Sequence, residues 1–120
     1  MNIRKTTIDN QVIITINPII DPRGEVVEIY EKEAFSKINI DENFNQDLIT
    51  TSLGEKTLRG LHFQTKPHFQ TKLVRCQRGS ILDITVDLRK RSPTYLQVCS
   101  VDLKEDDWTW LYIPPGVAHG

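Results

Sequence analysis

Residues 80–88 read SILDITVDL, and from Leu82 to Leu88 apolar and polar side chains alternate without a break. Leu82, Ile84, Val86 and Leu88 fall on one face of an extended chain, and Asp83, Thr85 and Asp87 on the other. A helix would scatter both sets around its circumference, so this pattern demands a strand. Weaker versions recur at 12–16 (VIITI), 25–30 (EVVEIY), 72–77 (KLVRCQ), 95–103 (YLQVCSVDL) and 108–113 (WTWLYI). Turn residues separate the runs: DPRG at 21–24, QRGS at 77–80, RSPT at 91–94 and PPG at 114–116. Only EKEAFSK, 31–37, reads as a short helix. Many short strands with turns between them specify an all-β barrel or sandwich. With 120 residues and no linker, repeat or low-complexity tract, the expected organisation is one domain, 1–120.

The polar row Asp83, Thr85 and Asp87 has two readings. It either faces solvent or lines the mouth of a barrel, where polar groups meet a ligand. Periodicity alone leaves both open. Charged residues make up 26% of the chain at a formal net charge of -1, so no global field draws in nucleic acid or a membrane surface. The first twenty residues lack the apolar core of a signal peptide, and no apolar run reaches membrane-spanning length. Cys76 and Cys99 lie inside strand patterns without metal-ligand spacing and read as reduced thiols of a cytosolic protein.

The chemistry-bearing residues gather in TLRGLHFQ, 57–64, and at the other end of the chain in IPPGVAHG, 113–120. There are three histidines, His62, His68 and His119. His62 and His68 flank a proline and fit neither a strand His-x-His pair nor a helical i, i+4 pair, so metal ligation is disfavoured. Arg59 precedes His62 by three residues, and Lys72 opens the next strand. An imidazole moves protons near neutral pH, a lysine steadies an enolate, and an arginine grips phosphate. Together they fit proton abstraction beside a carbonyl in a phosphorylated substrate. Strict strand alternation, however, points Arg59 and His62 to opposite faces. The two share a site if Gly60 marks a bulge, or if a neighbouring subunit completes the site.

LRGLHFQ, then TKLVRCQRGSILDITVDLRKRSPTY, then IPPGVAHG closely resemble the dTDP-4-dehydrorhamnose 3,5-epimerase family. DPRGEVVEIY and FNQDLITTS resemble the same family's upstream segments, the second of them a strand. The resemblance implies a cupin (jelly-roll) β-barrel, a homodimer, no cofactor and no metal. In keeping with the last, the first cupin signature reads His62-Phe63-Gln64, with an amide where a metal-binding cupin has its second imidazole. The implied substrate is a dTDP-4-keto-6-deoxyhexose nucleotide sugar, and the implied product dTDP-4-keto-L-rhamnose, in rhamnose biosynthesis. His62 would be the base and Lys72 the enolate stabiliser. Arg59 would bind the diphosphate and His119 would contact ligand. Arg23, Glu28, Gln46 and Asp47 would hold the nucleotide end, and Asp83 would reach into the same cavity.

Two departures qualify this. Leu48 stands where the family usually has Asn, which removes one hydrogen-bonding contact and motivates an alternative, a single-carbon epimerase or one acting on another keto-deoxysugar nucleotide. Family members also continue for several dozen residues beyond the Ala118-His119-Gly120 motif, with the proton-returning tyrosine and the aspartate that orients the base. Tyr30, Tyr95 and Tyr112 do not occupy that motif. The expectation is therefore the N-terminal part of the family domain, its closing strands absent. A second alternative is a nucleotide-sugar-binding cupin with impaired catalysis.

Overall fold

The computed structural model describes residues 1–120 and is almost entirely β. Its strands are β1 (Asn2–Lys5), β2 (Val12–Thr15), β3 (Ile19–Asp21), β4 (Gly24–Val26), β5 (Lys72–Val74), β6 (Ser80–Asp87), β7 (Val98–Lys104), β8 (Thr109–Ile113) and β9 (Val117–His119). One helix, α1 (Lys32–Ser36), follows β4, and a 3-10 turn (Glu105–Asp107) joins β7 to β8. All ladders are antiparallel: a four-stranded sheet ordered β1-β2-β8-β5, a three-stranded sheet ordered β7-β6-β9, and the β3-β4 hairpin by itself.

The alternation decides what lies between the sheets. Ile13 of β2, Leu111 and Ile113 of β8, Val101 and Leu103 of β7, and Val117 of β9 bury into one cluster with Ile8 and Cys76. The residues in between point the other way. Ile14, Val12, Leu73, Trp110 and Tyr112 cover the outer face of the four-stranded sheet, where Phe35 of α1 and Ile40 seal them. α1 starts where expected because Glu31 caps it, its carboxylate accepting from the Glu33 and Ala34 N–H groups at 2.8 and 2.6 Å.

β6 resolves the open question about its polar face. Asp83, Thr85 and Asp87 are buried, at 4%, 0% and 0% exposure, whereas Leu82 and Ile84 of the apolar row are exposed. The solvent reading of the polar row is thus overturned. Inside, Gln11 Nε2 donates to Thr85 Oγ1 at 3.1 Å, and the Thr85 hydroxyl donates to the Cys99 carbonyl at 3.3 Å.

The strand readings at 12–16, 80–88, 95–103 and 108–113 each find their strand, but 72–77 is strand only to Val74 and 25–30 only to Val26. Neither 44–52 nor 57–64 forms a strand; the latter contributes a single bridge, His62 to His119. β1, β3 and β9 are additional short strands: β1 and β3 are exposed on every residue and so carry no buried face, and β9 is a buried three-residue strand.

Candidate active site

Lys72 opens β5, and its neighbour Val74 packs against the core between the sheets while Leu73 faces outward. Period two therefore turns the Lys72 side chain inward. The same logic carries His119 inward, two residues after core Val117 on β9. These elements converge with β6. Lys72 Nζ lies 2.9 Å from His119 Nε2, and His119 Nδ1 lies 3.0 Å from Asp83 Oδ2. Asp83 Oδ1 is buried without a hydrogen-bond partner.

His62 joins this group from outside the regular sheets. Its N–H donates to the His119 carbonyl at 2.8 Å, and the His119 N–H donates to the His62 carbonyl at 3.1 Å. The two imidazole centroids are 4.7 Å apart. Gly60, at φ +93°, makes this approach possible. A Cβ there would sit 2.5 Å from the His119 carbonyl oxygen and 2.9 Å from Gly120 Cα. The glycines of LRGLH and AHG thus cross backbone to backbone, and their histidines are neighbours because of it.

Partial desolvation lowers the basicity of His62, helped by charge on Lys72 and by His119, with Asp83 opposing. Both effects favour the unprotonated imidazole. Burial also lowers Lys72, and again the Asp83 carboxylate opposes. The His62 shift suits an acid–base site, in which one group must be free to take a proton, whereas burial works against the Lys72 charge and the Asp83 carboxylate helps to keep it. Among the side chains present, no group of three or more His, Cys, Asp or Glu is arranged to hold a metal ion.

The side chains of the other sequence candidates make no hydrogen bond to this cluster. Arg59 is exposed and reaches Thr51 and Ser52, its Nη2 donating to the Thr51 carbonyl at 3.3 Å. Arg23 sits at the tip of the β3-β4 hairpin and pairs with Asp21 at 2.6 Å. Glu28, Gln46, Asp47 and Leu48 are exposed, and hydrogen-bond partners for their side chains are absent. Within one chain these residues are not brought against His62 and Lys72. None of the three tyrosines enters the cluster either. Tyr30 packs on Phe35 and Phe44, and Tyr95 lies exposed in the 92–97 turn. Tyr112 is on the outer face of its sheet, where burial and Glu42 push it up to about 12.

A second buried carboxylate escaped the sequence reading. Asp87 accepts from the Arg89 guanidinium at 2.8 Å, the Arg89 N–H at 3.0 Å, Ser92 Oγ at 2.6 Å and Thr94 Oγ1 at 2.7 Å. Burial opposes its charge, but these donors hold it well below the usual carboxylate range. The available signal was the segment VDLRKRSPT itself, with its donors two, five and seven residues after the aspartate.

The family model for dTDP-4-dehydrorhamnose 3,5-epimerase matches residues 5–120. The chain belongs to the dTDP-4-dehydrorhamnose 3,5-epimerase family. The family's enzyme from Sinorhizobium fredii is 42% identical over 100 residues, covering 83% of this chain and 51% of that protein. The Bacillus anthracis epimerase, solved with TDP and PPi bound, superposes at TM-score 0.94 with 36% identity, covering 98% of this chain and 67% of that one. A Legionella pneumophila epimerase in complex with dTDP-4-keto-L-rhamnose gives 0.89 and 34%, covering 98% and 62%. The chain spans between about half and two thirds of the length of these relatives. The all-β cupin fold expected from the motifs is the fold of the epimerase family.

Proposed function

We propose that this chain carries the proton-abstracting part of a dTDP-4-dehydrorhamnose 3,5-epimerase acting on a dTDP-4-keto-6-deoxyhexose. The observation that carries the reading is the contact group of His62, His119, Lys72 and Asp83, set on motifs of the epimerase family. His62 takes the proton from a carbon beside the C4 ketone, and the electron pair left behind becomes an enolate. The Lys72 ammonium faces the enolate oxygen and stabilises the charge that develops there. A proton returned to the opposite face of the same carbon inverts it. Arg59 is assigned to the diphosphate, and Arg23, Glu28, Gln46 and Asp47 to the nucleotide end.

The last four lie away from the His62 cluster, and the hairpin bearing Arg23 pairs with neither larger sheet. A homodimer in which these segments reach a partner's barrel accounts for both facts. It is supported by the exposure of Ile19, Ile20 and Val26, at 74%, 74% and 68%. Reduced cysteines and the absence of any helix long and apolar enough to cross a membrane fit a cytoplasmic enzyme.

Incubation with dTDP-4-keto-6-deoxyglucose in deuterated water tests the reaction. Solvent deuterium is expected at C3 and C5, and the His62→Asn variant is expected to lose it. Label at one carbon alone identifies a single-carbon epimerase, and binding of dTDP without any label identifies a binding module. Undiminished exchange by His62→Asn overturns the base assignment.

A further inference from the structure

His62 and His119 carry the same functional group and lie 4.7 Å apart, yet their surroundings make them chemically unequal. A lysine ammonium has donors only, so at 2.9 Å it requires His119 Nε2 to accept. A neutral imidazole that accepts at Nε2 carries its proton on Nδ1. That nitrogen faces Asp83 Oδ2 at 3.0 Å, and a carboxylate only accepts. Each atom in the row thus has one role, and the charges of Asp83 and Lys72 balance across a neutral ring.

We infer that Asp83 is a positioning residue: it locks His119 as the Nδ1-protonated tautomer, whose Nε2 holds the Lys72 ammonium, leaving His62 as the one imidazole free to act as base. The inference rests on the proton-abstraction reading of this site and adds to it the reason one histidine is the base and the other is not.

The contrast with Asp87 supports it. Asp87 is saturated by donors from Arg89, Ser92 and Thr94, as a purely structural buried carboxylate should be. Asp83 is also buried, but its hydrogen bonding goes to His119 alone and Oδ1 is left over. A carboxylate retained in the interior for a single imidazole does for that ring what orienting carboxylates do elsewhere, setting tautomer and direction. His62 makes no side-chain hydrogen bond, so no partner occupies its lone pair.

Long-range proton–nitrogen correlation spectra of the 15N-labelled full chain at neutral pH test this directly. The expected His119 signal is the neutral Nδ1-protonated tautomer, becoming a tautomer mixture in Asp83→Asn. In deuterium exchange with dTDP-4-keto-6-deoxyglucose, that variant is expected to lose kcat on the order of ten- to a hundredfold with little change in KM, as when an orienting partner of a functional histidine is removed. The inference is overturned if wild-type His119 carries its proton on Nε2, or is an imidazolium beside a neutral Lys72. It is equally overturned if Asp83→Asn keeps both the wild-type tautomer and the wild-type kcat. The wild-type spectrum needs neither a variant nor a substrate. It therefore decides the tautomer even if Asp83→Asn does not fold, and a wild-type chain that exchanges no substrate protons counts against the epimerase reading alone.

Discussion

Gly60 bears more on the site than its size implies. The crossing of 59–60 over 119–120 leaves no room for a Cβ, and φ +93° is a conformation that side-chain-bearing residues rarely adopt. Gly60→Ala should cost roughly 1–3 kcal/mol of stability from backbone strain. It should also separate the imidazoles, so deuterium exchange falls further than the melting temperature alone explains. Unchanged exchange would mean the crossing is not needed. In the proposed reaction, His62 and Lys72 set the pH dependence. Desolvation and nearby positive charge lower His62, so the base becomes available as pH rises through a value below the ordinary 6.5. Burial lowers Lys72, so its charge is lost as pH rises through a value below 10.5. A bell-shaped kcat/KM profile is expected, with its acid limb below the first value and its alkaline limb below the second. An acid limb above 6.5 would contradict the geometry. At this scale the motifs named His62, Lys72, Asp83 and His119, which the fold brings together. What sequence could not convey was the angle of approach, because alternation assumed 57–64 was a strand and only a backbone crossing brings His62 in.

β6 organises three clusters along its inward edge: Asp83 serves His119, Thr85 serves Gln11, and Asp87 anchors the 89–94 turn. Arg89 links that turn to others, donating to the Asp9 carbonyl at 2.7 Å and packing against the turn at Gly116 that leads into β9. Asp87→Asn removes the charge facing Arg89 and should destabilise the chain by about 3 kcal/mol, the usual cost of stranding one partner of a buried pair. Denaturant unfolding measures this. Because its donors depress the folded pKa of Asp87, the stabilisation is present above the carboxylate's unfolded value of 3.8 and is lost as pH falls toward the folded one. The gap between wild type and Asp87→Asn should therefore narrow in acid. A gap independent of pH would show that charge is not the cause. The strand itself is legible because residues 82–88 alternate without interruption. β1 and β3, exposed along their whole length, and β9, buried along its whole length, have no apolar–polar alternation of burial for a period to report.

Over the whole molecule, the burial of the polar row of β6 leaves Leu82 and Ile84 exposed, with Val98 of β7 exposed on the same outer face. Apolar side chains aligned on a sheet face disfavour a free monomer in water. Light scattering should return a dimer for the wild-type chain. Ile84→Lys should shift the mass toward the monomer if this face contributes, while an unchanged dimer would direct attention to the Ile19, Ile20 and Val26 hairpin. The sequence by itself determined the strand class, the positions of the main turns and the residue types that gather at the candidate site, because period, turn chemistry and side-chain functional groups are local properties. Only the tertiary structure decided which face of β6 turns inward, since burial depends on what packs opposite and not on polarity alone. It also decided how TLRGLHFQ meets AHG. Those glycines are 60 positions apart in the chain, and nothing local to either reports that a second backbone lies against it.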